Sequence, residues 1–186
     1  MKNNREKASH LSYAAVVAAA YVVLTLAFAP ISFGVVQFRV SEVLCVLPFF
    51  LPSTAAGLFI GCIVANVFSG NVLDIVFGSL ATLLAALLTA FIGRRRKTVG
   101  FMALSCAVIT IINALAVGAV ITKGYTGLSI LNNPGIFALN CLQVGLGEAV
   151  VLFAGGLPLM LCLSRKIFTK KQSDRPAPVQ SEEEPQ

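Results

Sequence analysis

Residues 37–51 read QFRVSEVLCVLPFFL, so a cation and an anion open one of the most apolar segments of a very apolar chain. Arg39 and Glu42 are three residues apart and share a face if the segment is helical. Ionisable groups at mid-membrane cost roughly 2.5–3.5 kcal/mol each, so they face protein or a water-filled cavity and mark functional sites. The alternative is that Arg39 and Glu42 only neutralise each other's charge at the membrane surface and have no functional role. Two further acids at membrane depth favour a functional pair.

The composition is that of an integral membrane protein. The chain has 186 residues, of which 57% are hydrophobic and 12% charged, and its mean hydropathy is +0.87. A soluble domain is nearer half apolar and a quarter charged. The net charge of +6 comes from basic residues in loops and tails, where orientation in the membrane explains it better than nucleic-acid binding does.

Six apolar segments predict an all-α protein with six transmembrane helices. The first resembles a signal peptide at its end but is long enough to span a bilayer. The second and third are shorter than the ~20 residues of a full crossing, so they are short helices, tilted helices or a re-entrant pair. The predicted spans are residues 11–29, 38–51, 55–68, 72–92, 99–121 and 136–163.

The distribution of basic residues predicts that both termini are cytoplasmic. Twelve of the 14 Lys and Arg residues precede the first span, lie in Arg94–Lys97 or lie in Arg165–Arg175. Only Arg39 and Lys123 would lie outside, as the positive-inside rule requires for a multi-pass protein of the cell membrane. The predicted domains are a cytoplasmic segment (1–10), a membrane domain (11–165) and a disordered cytoplasmic tail (166–186).

Polar residues within the spans concentrate in the outer half of the predicted bundle. Glu148 is the deepest acid, about 12 residues and roughly 18 Å from the outer end of its span. A polar basin that opens to the outside above an apolar floor would solvate these groups. The predicted substrate-binding residues are Arg39, Glu42, Asn66, Asp74, Asn113, Asn140, Gln143 and Glu148.

Several of these residues also have structural explanations. Asp74 is a candidate N-cap, and the three asparagines are candidates for hydrogen bonds between helices. Glu148 is harder to explain structurally, because its span holds no basic residue before Arg165. Three acids against Arg39 favour a solute that carries hydrogen-bond donors or positive charge, such as a flat heterocycle whose adjacent N–H groups suit a carboxylate.

The chain carries no motif for chemistry or for energy coupling. It has no phosphate-binding loop, and its one histidine, His10, precedes the first span, so we predict no enzyme activity, no metal and no cofactor. The five scattered cysteines suit packing. In the first span, the pairs Ala14/Ala18 and Ala15/Ala19 allow close approach of another helix, either a partner's or one of the same bundle.

Several motifs resemble the QueT family. They are APISFG at 29–34, QFRVSE at 37–42, LPFF at 47–50, DIVFGSLAT at 74–82 and the pair Gly147–Glu148. The resemblance implies a six-helix substrate-binding (S) component of an energy-coupling factor (ECF) transporter. Such a component docks on one transmembrane coupling protein and two ATPases.

The resemblance also implies a solute and a docking face. The solute would be a queuosine precursor, a 7-deazaguanine such as preQ1 or preQ0. In S components an alanine motif of the first helix contacts the coupling protein, which favours docking through Ala14, Ala15, Ala18 and Ala19. The alternatives from the residues are a solitary transporter of a purine-like or other cationic micronutrient, coupled to protons through Glu148, and a membrane enzyme or structural subunit.

Overall fold

The structure, a computed structural model, describes residues 2–33 and 37–173, and this part of the chain is helical with no β-strand. The predicted all-α class is confirmed. The α-helices are α1 (Lys2–Ala27), α2 (Ala29–Ser32), α3 (Thr54–Val67), α4 (Ser79–Arg95), α5 (Val99–Val120), α6 (Pro134–Val151) and α7 (Leu157–Ser173). A 3₁₀ helix occupies Val40–Phe49, and π-helical turns occupy Asp74–Gly78, Ile121–Tyr125 and Leu152–Gly156.

Four helical segments of the described residues are long and apolar enough to cross a membrane. They are Glu6–Ala27, Asp74–Arg95, Val99–Gly124 and Pro134–Lys166, and they correspond to the first, fourth, fifth and sixth predicted spans. The segments Val40–Phe49 and Thr54–Val67, which correspond to the second and third predicted spans, are apolar but shorter. The chain is therefore a multi-pass membrane protein.

The 3₁₀ helix gives the second predicted span an unusual shape. Such a helix rises about 2.0 Å per residue, so ten residues cover about 20 Å instead of the about 15 Å of an α-helix. Its three-residue period stacks Glu42, Cys45 and Pro48 on one line, and all three are buried. Stacking places the Cys45 thiol against Glu42, to whose Oε2 it donates at 2.8 Å.

Glycines allow α1 and α3 to pack closely. A Cβ on Gly57 would overlap the backbone of Ala14, and one on Gly61 would meet the backbone of Ala18. Ala14 and Ala18 therefore face α3, whereas Ala15 and Ala19 are exposed on the other side of α1. One pair of small residues thus packs inside the bundle, and the other pair lies on its surface.

The apolar core and the buried polar groups occupy different depths. Along α5, Met102, Cys106 and Ile109 are buried in the apolar core, and the next buried residue on this face is Asn113. On α4, the polar residue Thr82 is followed by the buried alanines Ala85 and Ala86 of the apolar core, so polar and apolar residues are again at different depths. The core therefore lies towards the end of the bundle that carries Arg94–Lys97, beneath the polar groups.

Helices α1 and α7 extend beyond the bounds of the predicted membrane domain, residues 11–165. Helix α1 begins at Lys2, so residues predicted as a polar leading segment continue the first span as helix. Helix α7 continues to Ser173, into the segment predicted to be disordered. Residues 174–186 of that segment lie outside the described residues.

Candidate functional site

Buried polar side chains line a small cavity between the 3₁₀ helix, α4, α5 and α6. We call the polar members of this lining the polar centre. The cavity volume is about 10 Å³, enough for about one water molecule. The polar centre consists of Gln37, Arg39, Glu42, Thr82, Asn113 and Glu148.

Glu42 accepts three hydrogen bonds from other side chains of the protein. Its Oε1 accepts a hydrogen bond from the hydroxyl of Tyr21, which is fully buried on α1. Its Oε2 accepts from the Cys45 thiol at 2.8 Å and from Asn113 Nδ2 at 3.2 Å. A carboxylate that receives three donors has little capacity left, so Glu42 holds the 3₁₀ helix to α1 and α5.

Asn113 connects Glu42 with Glu148. Its Nδ2 also donates to Glu148 Oε1 at 2.7 Å, so one amide bridges two carboxyl groups. Within residues 2–33 and 37–173, Asn113 Oδ1 has no hydrogen-bond partner, and no side chain donates to Glu148 Oε2. The oxygen atoms that remain free to accept hydrogen bonds at the cavity are therefore on Glu148 and Asn113 more than on Glu42.

Arg39 lines the cavity with its hydrogen-bond donors largely unused. Its Nη2 lies 3.7 Å from Asp74 Oδ2, which is an ion pair but is too long for a hydrogen bond. The guanidinium also lies 5.6 Å from the centroid of the Phe33 ring. Among the described residues, Arg39 Nε and Nη2 and both Asp74 oxygens have no hydrogen-bond partner, although both residues are at least 95% buried. Asp74 thus supplies the charge that holds Arg39 at the cavity.

Four predicted site residues lie outside the cavity lining: Asp74, which pairs with Arg39, and Asn66, Asn140 and Gln143. Asn66 donates to the backbone carbonyl of Asp74 at 3.0 Å and ties α3 to the π-helical turn. Asn140 donates to Thr122 at 2.9 Å and ties α6 to the end of α5. Gln143 is half-buried and does not line the cavity. For Asn66 and Asn140 the geometry fits hydrogen bonding between elements, and their contact with substrate, like that of Gln143, stays a prediction.

The predicted basin, open to the outside, is wrong for the described residues. The acids do converge inside the bundle, but the space between them is about 10 Å³. The reason is that the polar groups contact one another directly: Asn113 donates hydrogen bonds to both glutamates, and Asp74 forms an ion pair with Arg39. These contacts draw the side chains together, so the space between them stays small even though several of their polar atoms have no hydrogen-bond partner in the described part of the chain.

Sequence reasoning missed Tyr21 and Thr25 on α1. They follow Ala14 and Ala18 at helical spacing, so all four lie on the face that packs inside the bundle. Thr25 donates to Ser41 Oγ at 2.7 Å, and Tyr21 donates to Glu42. Continuing the face of Ala14 and Ala18 along the sequence would have found both hydroxyls.

Gln37 and Thr82 were also missed as members of the lining. Gln37 belongs to the quoted QFRVSE motif, and a Cβ on Gly147 would overlap its backbone carbonyl. Close approach at Gly147 therefore places the segment that leads to Arg39 directly against α6, beside Glu148.

A family model described as "QueT transporter" matches residues 11–165. The chain belongs to the QueT transporter family. The matched region includes every residue of the polar centre, and membership places the chain among transporters and not among enzymes.

A curated relative of the QueT family gives a shorter match. The chain is 42% identical over 71 residues to the "Queuosine precursor transporter QueT" of Lactococcus lactis subsp. cremoris (strain MG1363). That alignment covers 37% of this chain and 42% of the relative, so the chain spans about two fifths of the length of the curated relative it matches. No solved structure matches the chain.

Proposed function

We propose that the chain is the S component of an ECF transporter and captures a 7-deazaguanine precursor of queuosine. The observation that carries this proposal is the arrangement of unused hydrogen-bonding groups around one buried cavity. Arg39 offers donors, and Glu148 and Asn113 offer acceptors. Family membership and the name of the Lactococcus relative support the same class of substrate.

The chemistry of the polar centre suits a guanine-like base. Arg39 donates to the carbonyl oxygen of the base, and Glu148 accepts from the adjacent ring N–H and exocyclic amine. The three acids near the cavity, Glu42, Asp74 and Glu148, outnumber the single guanidinium. This excess favours preQ1, which carries an ammonium group, over the neutral preQ0.

Admission of the base requires the cavity to widen. A volume of about 10 Å³ holds one water molecule and not a bicyclic ring. The lining belongs to separate elements, which are joined by the hydrogen bonds of Asn113 and the loose pair of Arg39 with Asp74. Substrate groups replace these contacts as the elements move apart.

The docking face for the coupling protein is the exposed side of α1. Ala15 and Ala19 are exposed there, whereas Ala14 and Ala18 are closed off by Gly57 and Gly61 of α3. A partner helix gains close backbone approach only where small residues remain accessible. We therefore assign docking to Ala15 and Ala19, and internal packing to Ala14 and Ala18.

Replacement of Ala15 and Ala19 by Leu should abolish ATP-driven uptake and leave substrate capture intact. In proteoliposomes that contain the chain with an ECF coupling protein and its two ATPases, the wild-type chain should accumulate labelled preQ1 when ATP is supplied. The purified double variant should still bind preQ1 without ATP, because neither alanine touches the polar centre.

Ala138→Leu is the matched control for this experiment. Ala138 is also an exposed alanine of a long apolar helix, but it lies on α6. Its variant should assemble and transport normally. The proposal fails if the wild-type chain binds neither preQ1 nor preQ0, and the docking assignment fails if the double variant transports at the wild-type rate.

The same proposal includes six crossings with both ends in the cytoplasm. The 3₁₀ helix covers about 20 Å, and the non-helical residues 37–39 add up to about 10 Å. Together they equal the ~30 Å hydrocarbon core. Helix α3 covers about 21 Å, which local thinning of the bilayer accommodates. The proposal keeps the predicted domains: a cytoplasmic segment (1–10), a six-helix membrane domain (11–165) and a cytoplasmic tail (166–186).

Reporter fusions should confirm this orientation. Alkaline phosphatase, which is active only outside the cytoplasm, should be active when fused after Ser129 and inactive when fused after Lys97. A fluorescent protein that folds only in the cytoplasm should give the opposite pattern. Phosphatase activity after Lys97 would contradict the arrangement, because it would place the basic cluster Arg94–Lys97 outside.

A further inference from the structure

A second, larger concave surface lies on the outside of the bundle, away from the polar centre. It is a groove of about 650 Å³ between the segment that leads into α4 and helix α5. One wall is formed by Leu73, Phe77, Leu80 and Leu84, which recur at helical spacing. The other is formed by residues of α5, with Lys123 and Ile130 beyond its end. Ala81, Ala116 and Ala119 also line the groove, and their small side chains leave it open.

The groove has the length of one membrane leaflet. Along α5 and the π-helical turn that follows it, the lining runs from Ile112 to Lys123, and on the opposite wall it runs from Leu73 to Leu84. Eleven residues of helix correspond to about 16 Å. Half of the hydrocarbon core is about 15 Å. Both walls therefore match the depth of a single layer of acyl chains.

Lys123 places a positive charge at one end of this apolar groove. It is exposed, and it lies at the end of α5 opposite Arg94–Lys97. No Asp or Glu occurs between Asp74 and Glu148 in the sequence, and both of these acids are buried. Among the described residues, Lys123 is thus an exposed cation without an exposed acid at its end of the bundle.

We propose that this groove is a binding site for a phospholipid, with an acyl chain between the two helices and the phosphate on Lys123. The apolar lining, the match to one leaflet and the cation at the interface together specify this occupant. A phospholipid supplies both an acyl chain for the apolar groove and an anion for the ammonium group. An anionic head group such as phosphatidylglycerol should be preferred, because a basic residue near the membrane surface attracts anionic lipid. This site is independent of the proposed transport function.

Photolabelling of the full chain tests the site. The chain is reconstituted in vesicles of phosphatidylethanolamine that contain phosphatidylglycerol with a photoreactive acyl chain, and the labelled peptides are identified by mass spectrometry. Label should appear within residues 112–120. Lys123→Ala should reduce labelling there about fivefold, the effect expected of one basic residue at the surface. Lys97→Ala, which removes a cation at the opposite end, should leave it unchanged.

A groove-filling variant gives the second test. Ala116→Phe should remove the label from residues 112–120, whereas Ala138→Phe on α6 should not. Persistence of the label in both Lys123→Ala and Ala116→Phe would overturn the proposal. So would its absence from these residues in the wild-type chain, or crosslinks that join this groove to a second copy of the chain or to another subunit.

Discussion

Glu148→Gln should weaken the binding of preQ1 by about 100-fold while the fold remains intact. The amide keeps an oxygen that can accept the hydrogen bond from Asn113 Nδ2, so the contact between α5 and α6 survives. It loses the charge and presents N–H donors to the N–H groups of the substrate. Loss of one charge-assisted pair of hydrogen bonds costs about 3 kcal/mol, which corresponds to the expected change in Kd. Calorimetric titration of purified protein without ATP measures it.

Two matched variants distinguish this role from a structural one. Gln143→Ala alters a polar residue of the same helix that the sequence also predicts to contact substrate but that does not line the cavity. If the cavity is the site, the Kd of this variant should stay within about twofold of the wild-type value. Glu42→Gln should act chiefly on stability, because Glu42 receives donors from Tyr21, Cys45 and Asn113. Weak binding in Gln143→Ala together with unchanged binding in Glu148→Gln would refute the assignment.

Gly147→Ala should destabilise the protein by about 3 kcal/mol and disrupt substrate binding without removing any polar group. The added Cβ would overlap the backbone carbonyl of Gln37, which cannot rotate away as a flexible side chain would. Overpacking typically costs 1–3 kcal/mol, and a backbone contact lies at the upper end of that range. The residues that follow Gln37 lead to Arg39, so the guanidinium moves away from Glu148. Unfolding in a denaturing detergent measures the stability, and preQ1 titration measures the binding.

Gly145→Ala is the matched control, two residues away on the same helix. Its Cβ would lie 3.3 Å from the Ala114 Cβ, a contact that a small shift relieves. Alanine also favours helix over glycine by about 1 kcal/mol. The expected change in unfolding free energy is therefore close to zero. Equal losses in Gly145→Ala and Gly147→Ala would show that the close approach to Gln37 is not the cause.

Much of the fold was predictable because hydrophobicity and length decide which segments can cross a membrane. The four long helices follow directly from uninterrupted apolar runs. The predicted depth of Glu42 and Glu148 in the membrane was enough to predict that both face the interior of the bundle, since charged groups avoid lipid. Arg39 was identifiable for the same reason, as an isolated cation next to an apolar segment.

The unpredicted features depend on contacts between elements. Periodicity over ten residues does not separate a 3₁₀ helix from an α-helix, and Val40–Phe49 adopts the former. The position of Asn113 decides whether the two glutamates surround solvent or share one amide as a hydrogen-bond donor. From the sequence alone, Asn113 could equally contact substrate or form a hydrogen bond between helices. The choice between Ala14/Ala18 and Ala15/Ala19 required the position of Gly57 and Gly61.

In the transporter proposed above, helix α1 would connect docking of the coupling protein with capture of the substrate. Its outer side carries Ala15 and Ala19, and a residue one turn further along its inner side, Tyr21, holds the Glu42 carboxylate. A coupling protein that binds α1 and tilts it would therefore also displace Glu42, which lines the cavity. If docking changes the affinity for substrate by some factor, then bound substrate must change the affinity for the coupling protein by the same factor.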